Sequence, residues 1–268
     1  MALSLPWAFI LRDFLVARSY RIGFIMTLGG TIGSVLIFYF LSRAIGASVS
    51  SAVTDYGSDY FGFVVIGIAF TQVVTVGLGA IGGSVRQGQV TGTLELMLIS
   101  PTRASSALVS SGLYSHISAA GTIVVYLAVG ILLGLRFDQA NLPVAAVAFI
   151  LLVVSCNALG LIGAAAVLIL KQGNPVNWIV SGASLVLGGV FYPTSSLPDA
   201  LQVASQVLPI THALEILRRS LLLGEGLDTL WPRFVALTVL VAIYLPLGLW
   251  ACHIAVDRAR EDGSLAEF

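Results

Sequence analysis

Gln139-Ala-Asn-Leu-Pro-Val-Ala-Ala-Val-Ala-Phe-Ile-Leu-Leu-Val-Val-Ser-Cys-Asn-Ala-Leu-Gly-Leu-Ile-Gly-Ala-Ala-Ala-Val-Leu-Ile-Leu170 contains no Asp, Glu, Lys or Arg. A helix needs about 20 apolar residues to cross a hydrocarbon core about 30 Å thick. Each charge at the centre of that core costs roughly 2.5–3.5 kcal/mol on insertion scales. The run therefore reads as a membrane span with length to spare. Five further stretches lack the same four residue types: 22–42, 60–85, 104–135, 172–198 and 234–256. The expected architecture is an all-α membrane protein with six transmembrane helices. None of the runs shows the period-two alternation of a barrel strand.

Composition agrees. Of 268 residues, 57% are apolar and 10% are charged, against about 25% charged in an average soluble domain. That excludes an ordinary soluble enzyme and a disordered chain. Thirteen basic residues balance thirteen acidic ones, so no basic field exists to hold phosphate backbones, and nucleic acid is not an expected partner. Lys171 is the single lysine, and Cys156 and Cys252 lie inside apolar runs without metal-type or disulfide-framework spacing. Ahead of the first span, residues 1–21 place Trp7, Ile10, Leu11 and Phe14 at helical spacing, interrupted by Arg12, Asp13 and Arg18. This pattern suits a helix lying in the membrane interface. A cleaved signal peptide would put its charges before the apolar stretch, and here they follow its start. With the N-terminus in the cytoplasm, that side receives Arg12, Arg18, Arg21, Arg86, Arg103, Lys171, Arg258 and Arg260, and the outside receives Arg43, Arg136, Arg218, Arg219 and Arg233. The bias is modest and favours a multi-pass protein of the cytoplasmic (inner) membrane with both termini in the cytoplasm. Gly29/Gly33, Gly79/Gly83 and Gly130/Gly134 each form a G-x-x-x-G, a spacing that lets helices pack closely in lipid.

Two segments are not spans. The first, 86–103, is too short and too charged at its ends. Gly88 and Gly92 break the incoming helix, Thr93 begins a new one with Glu95 in its first turn, where a carboxylate complements the helix dipole, and Pro101 stops it. Leu94, Met97 and Leu98 share one face. This is a short amphipathic helix on the cytoplasmic surface, either an anchor for the fold or a knob for a soluble partner. The second, 194–224, lies in a stretch cut by Pro193, Pro198 and Pro209 into short pieces. One half-helix starts near Pro198, and another runs from Pro209 towards Leu223 and Gly224. Neither is long enough to cross, so both are expected to dip in and return at the outer mouth of a pathway, since irregular backbone at that depth needs protein or water around it. A plain extracellular hairpin is the alternative. Glu215 stands three and four residues before Arg218 and Arg219, at ion-pair spacing.

These two segments, in this order on a six-span chain, resemble the ABC type-2 exporter permease family. The residues that carry the likeness are Gly92-Thr93-Leu94-Glu95 followed by Ser100-Pro101, and Gly189-x-Phe191-x-Pro193 with Leu197-Pro198, Pro209 and Arg218. The first group looks like that family's coupling helix, the second like its pair of re-entrant outer helices. The resemblance implies two permease subunits, identical or homologous, around a central pathway, with two copies of a separate ATPase subunit beneath. ATP would bind to those partners and no cofactor to this chain, which contains no G-x-x-x-x-G-K-[ST]. Glu95 would enter the ATPase groove, with Leu94, Met97 and Leu98 as its apolar contact. A hydrophobic or amphipathic, drug-like or lipid-like cargo is expected, and a polysaccharide or haem-like cargo remains the alternative within the family.

Two other classes compete. A stand-alone secondary transporter or channel coupled to ions or protons ordinarily carries an ionisable residue within its spans. Here only His116 and His253 fall in apolar runs, and a lone histidine there is expected to hydrogen-bond between helices. A membrane enzyme would need converging polar groups. Asp55 and Asp59 in a short loop, and Asp257, Glu261 and Asp262 in the tail, do not supply them, so the chain is not expected to be catalytic.

Overall fold

The computed structural model describes residues 21–49, 53–57, 59–90, 112–170 and 174–261, together with Trp7, Ile10, Leu11, Phe14 and Leu15. Those residues form eight α-helices and no strand: α1 Arg21–Val49, α2 Tyr60–Val90, α3 Leu113–Leu132, α4 Leu142–Leu170, α5 Pro175–Leu187, α6 Asp199–Ser205, α7 Pro209–Leu222 and α8 Leu227–Glu261. Single 3-10 turns occupy Thr54–Tyr56 and Thr194–Ser196. The all-α membrane fold is thus the observed one. The five described residues before α1 are helical, with Trp7 and Phe14 exposed.

Five helices, α1, α2, α3, α4 and α8, are long and apolar enough to cross a membrane. The run 172–198 behaves differently from the other five. Asn174 caps α5 by accepting a hydrogen bond from the Asn177 amide at 3.0 Å, and Pro175 follows in the first turn. The helix ends at Leu187, before Gly188 and Gly189. Its 13 residues extend about 20 Å at 1.5 Å per residue. A charge-free run merges this short helix with the irregular backbone beyond it, because neither part contains a charge. The opposite error occurs in α8, whose helix starts at Leu227 and includes Asp228, Pro232 and Arg233 ahead of the expected span.

The bundle is built around α4, which packs against α2, α8, α7 and α5. Its buried residues run from Ala145 to Leu168 and include Leu152, Ser155, Cys156 and Ala158. Two close backbone approaches fix it. A Cβ on Gly160 would lie 2.1 Å from the Gly77 carbonyl oxygen of α2, and one on Gly248 of α8 would lie 2.4 Å from the Ala158 oxygen. Small residues let helices meet in this way where lipid offers no hydrophobic drive. The G-x-x-x-G pairs are mostly not where this happens. Gly29, Gly33 and Gly83 have nothing within 4 Å, and Gly134 takes a left-handed turn (φ 110°). Gly130 alone among the six meets another helix tightly, 3.3 Å from Val65.

His116 is held between helices as expected. Its Nε2 lies 2.8 Å from the Asn157 amide nitrogen of α4, a donor, so this ring nitrogen accepts. Nδ1 then carries the proton and donates to the Gly112 carbonyl at 2.8 Å. In contrast to this packed interior, α1 leaves Ile22, Phe24, Ile25, Met26, Ile37 and Phe40 exposed.

The Gly160 contact sets a direct comparison. Gly160→Ala, forced against a backbone oxygen, should cost about 1–3 kcal/mol as an overpacked position and lower the thermal unfolding temperature in detergent. Gly33→Ala, whose new methyl meets nothing within the chain, should leave that temperature unchanged. Equal behaviour of the two variants would show that the α2–α4 approach does not limit stability.

Candidate functional site

The expected coupling residues Gly92, Thr93, Leu94, Glu95, Met97 and Leu98, and Arg12 and Arg18 of the interfacial segment, lie outside the described residues. What is described differs in one detail. Helix α2 continues through Gly88 to Val90, so Gly88 does not end it.

The other expected site is described throughout, from the end of α5 to the end of α7. Its depth follows from α2. Gly67 lies seven residues into that helix, about 10 Å from its start. A Cβ on Gly67 would come within 2.4 Å of the Val190 oxygen and 2.6 Å of Arg218 Nη2. The irregular chain after α5 therefore sits about two helical turns in from the start of α2. Its carbonyls have lost helical partners and have little water to replace them, and an unsatisfied carbonyl in that setting costs free energy.

Arg218 supplies the missing donors. It sits on α7, 2% exposed. Nη1 donates to the Gly189 oxygen at 2.7 Å, Nη2 to the Val190 oxygen at 2.9 Å, and Nε to the Phe63 oxygen of α2 at 3.0 Å. The guanidinium carbon lies 3.4 Å from the centre of the Phe63 ring, within cation–π range. The charge also faces the C-terminal end of α5, where the helix dipole is negative. Only the planar fork of arginine reaches three carbonyls and stacks on a ring at once. Gly189 (φ 73°) lets the chain turn into this cradle.

The remaining expected residues surround that contact. Phe191 stacks on Phe38 of α1, with ring centroids 5.6 Å apart and planes 16° from parallel. Tyr192 donates its hydroxyl to the Val186 carbonyl, a free acceptor in the last turn of α5. Pro193 is buried and its oxygen receives the Ser196 amide, while exposed Pro198 caps α6. Pro209 is buried in the first turn of α7. The two half-helices start where the prolines indicate, although α6 spans only seven residues. Tyr244 and Arg233 of α8 hold the α6–α7 turn through the Val207 oxygen and the Gln206 side chain.

Glu215 divides from Arg218. It accepts a hydrogen bond from Tyr56, in the turn before α2, and lies 3.8 Å from Arg219. Arg219 in turn binds Glu225 at 2.9 Å. Burial, and then the Glu215 carboxylate, push the Tyr56 phenol above its ordinary value, so it remains a donor. Of the two pairings the spacing allowed, Glu215 takes the one with Arg219. Tyr56, Phe63 and Gly67 were not foreseen as part of this unit. Their only sequence signal is a glycine at the fourth place after a phenylalanine in a span, which gains meaning once an arginine needs room.

Residues 6–222 match the family of ABC-2 type transporter membrane domains. The chain belongs to that family. The match ends on the last residue of α7, so it covers the stretch from the end of α5 through α7 and leaves α8 outside. No curated protein gives a match. The ABC-2 protein is accordingly a multi-pass transporter permease subunit, a transport component that is not itself catalytic.

Arg218→Met in this permease should leave the Gly189 and Val190 carbonyls without donors and cost roughly 3 kcal/mol or more, seen as loss of a monodisperse peak on gel filtration. Arg218→Lys should fall between it and the parent, since an ammonium donates without the planar fork. A stable Arg218→Met protein would remove the proposed need for these donors. Tyr56→Phe, which deletes one hydrogen bond to a carboxylate, should cost about 1.5–3 kcal/mol, measured as a fall in unfolding temperature at neutral pH.

Proposed function

We propose that this chain is the permease of an ATP-driven exporter for a hydrophobic or amphipathic, drug-like or lipid-like molecule. Two copies of a separate ATPase subunit dock beneath a pair of permeases, identical or homologous. The segment 86–103 receives the ATPase. Glu95 enters its groove, with Leu94, Met97 and Leu98 as the apolar contact and Gly92-Thr93 as the turn that presents them. ATP is bound by the partner and not by this chain. Both termini face the cytoplasm, and α6 and α7 face outward as the gate of the pathway.

The observation that carries the cargo class is the uncovered side of the broken-helix unit. Trp178, Ile179, Leu185 and Val186 on α5, and Leu201 and Val203 on α6, are exposed and apolar. A facing permease on that side would enclose an apolar path. Membership of the family supports the ATPase partnership and the direction of transport. The spans lack the buried carboxylates that ion coupling ordinarily uses, which favours an external energy source.

The test is affinity purification of the tagged permease from its own cells in mild detergent, beside Glu95→Lys. An ATPase of Walker type should co-purify with the parent in a fixed ratio. Glu95→Lys should reduce that recovery and lower ATP-dependent flux of a fluorescent amphiphile into vesicles by about tenfold or more, because it turns an attractive charged contact repulsive. Full recovery and unchanged flux in the variant would rule out the docking role of Glu95. Absence of any ATPase from the parent sample would rule out the exporter assignment.

A further inference from the structure

A cavity of about 410 Å³ opens where α1, α2 and α3 end beside one another, lined by Tyr39, Ser42, Arg43, Asp59, Tyr60, Phe61, Leu133 and Gly134. Its volume falls in the range of small-molecule sites, roughly 300–1,000 Å³. Its lining shares no residue with the Arg218 unit. Its chemistry is that of a dipolar ligand. Arg43 belongs to α1 and Asp59 to the start of α2, and among the described residues no ion pair joins them. Arg43 is exposed. It donates to the Tyr39 hydroxyl at 3.0 Å and lies 5.3 Å from the centre of that ring, which steadies the guanidinium at the rim. Asp59 caps α2, with Oδ1 receiving the Phe61 amide at 3.1 Å. Tyr39 and Phe61 meet edge to face, centroids 5.5 Å apart, so aromatic faces wall the space between the two charges.

A second feature gives the ligand a tail. Ile32, Leu36 and Phe40 follow one another at four-residue spacing along α1, Arg43 comes three residues after Phe40, and all three apolar side chains are exposed. Residues so spaced form one stripe on a helix. An apolar track thus descends from the charged cavity towards the middle of the membrane.

We infer that this cavity binds the headgroup of a zwitterionic phospholipid, with the phosphate at Arg43, the ammonium at Asp59 among the rings of Tyr39, Tyr60 and Phe61, and an acyl chain along Ile32, Leu36 and Phe40. Arginine suits the phosphate as a fork donor, and aromatic faces favour an ammonium. The assignment does not depend on which way the bundle faces or on what the permease carries, because each leaflet presents headgroups at the ends of the spans.

The permease, purified as full chain in mild detergent and stripped of lipid, is titrated with phosphatidylethanolamine and with phosphatidylglycerol of the same acyl chains, and bound lipid is counted by native mass spectrometry. Phosphatidylethanolamine should bind more tightly. Asp59→Asn retains the helix cap, since asparagine caps as well, and should weaken phosphatidylethanolamine about tenfold while leaving phosphatidylglycerol unchanged. Arg43→Gln should weaken both lipids. Free phosphoethanolamine should compete poorly, because it lacks the chain; competition equal to the lipid would reassign the site to a soluble zwitterion and overturn the lipid assignment. Equal binding of the two lipids, or parent-like binding by both variants with unchanged unfolding temperatures, would also overturn it. So would crosslinking from position 43 into a second permease subunit, since the cavity would then be covered by protein.

Discussion

The arrangement depends on carbonyl groups that a broken helix leaves at a depth where water is scarce. Helix α5 stops at Leu187, and the chain that follows has to place Val190 beside Gly67 of α2. Two solutions are open to a protein in that position: continue the helix or bring donors to it. Arg218 is the second solution. Because one guanidinium serves α2, α7 and the loop together, these three elements are fixed relative to one another by a single group. The surrounding contacts are consequences of that placement. Phe191 is positioned to reach Phe38 of α1, and α7 rises to meet the start of α4, where the Asn141 amide donates to the Ser220 oxygen at 2.8 Å.

The protein is accordingly uneven in how firmly its parts are held. The α2–α4–α8 contacts are made backbone against backbone, with glycine where another residue would not fit. Helix α1 has a largely exposed apolar surface and is tied to the bundle at one end by aromatic rings. The described residues thus show a closely packed centre, with the flanks left apolar and uncovered.

Much of the fold was legible in the sequence because the membrane imposes a coarse rule, the absence of charge over a long run. That rule finds helices that are buried in lipid or in protein, but it cannot distinguish helix from irregular backbone. It therefore read 172–198 as one element, although Asn174-Pro175 and Gly188-Gly189 are start and stop signals of the ordinary kind. Proline spacing located α6 and α7 because proline acts locally on the chain. The partner of Arg218 was not legible. Its contacts lie 28 to 155 residues away, and local spacing offered only Glu215. The close approaches at Gly77, Gly160 and Gly248 were missed for a related reason: G-x-x-x-G describes one helix, whereas a close approach needs small residues on two.

The separation of Arg218 from Phe63 also has a bearing on how the protein is made. A chain enters the membrane from its N-terminus, and α2 is in place long before residue 218 has been synthesised. Until then the backbone of Gly189 and Val190 has no donor from α7. During that interval these peptide groups must remain hydrated or be sheltered by the insertion machinery. The contact that fixes α2, α7 and the loop to one another is thus completed late in biogenesis, and a ribosome that stalls before residue 218 leaves the loop without its donors.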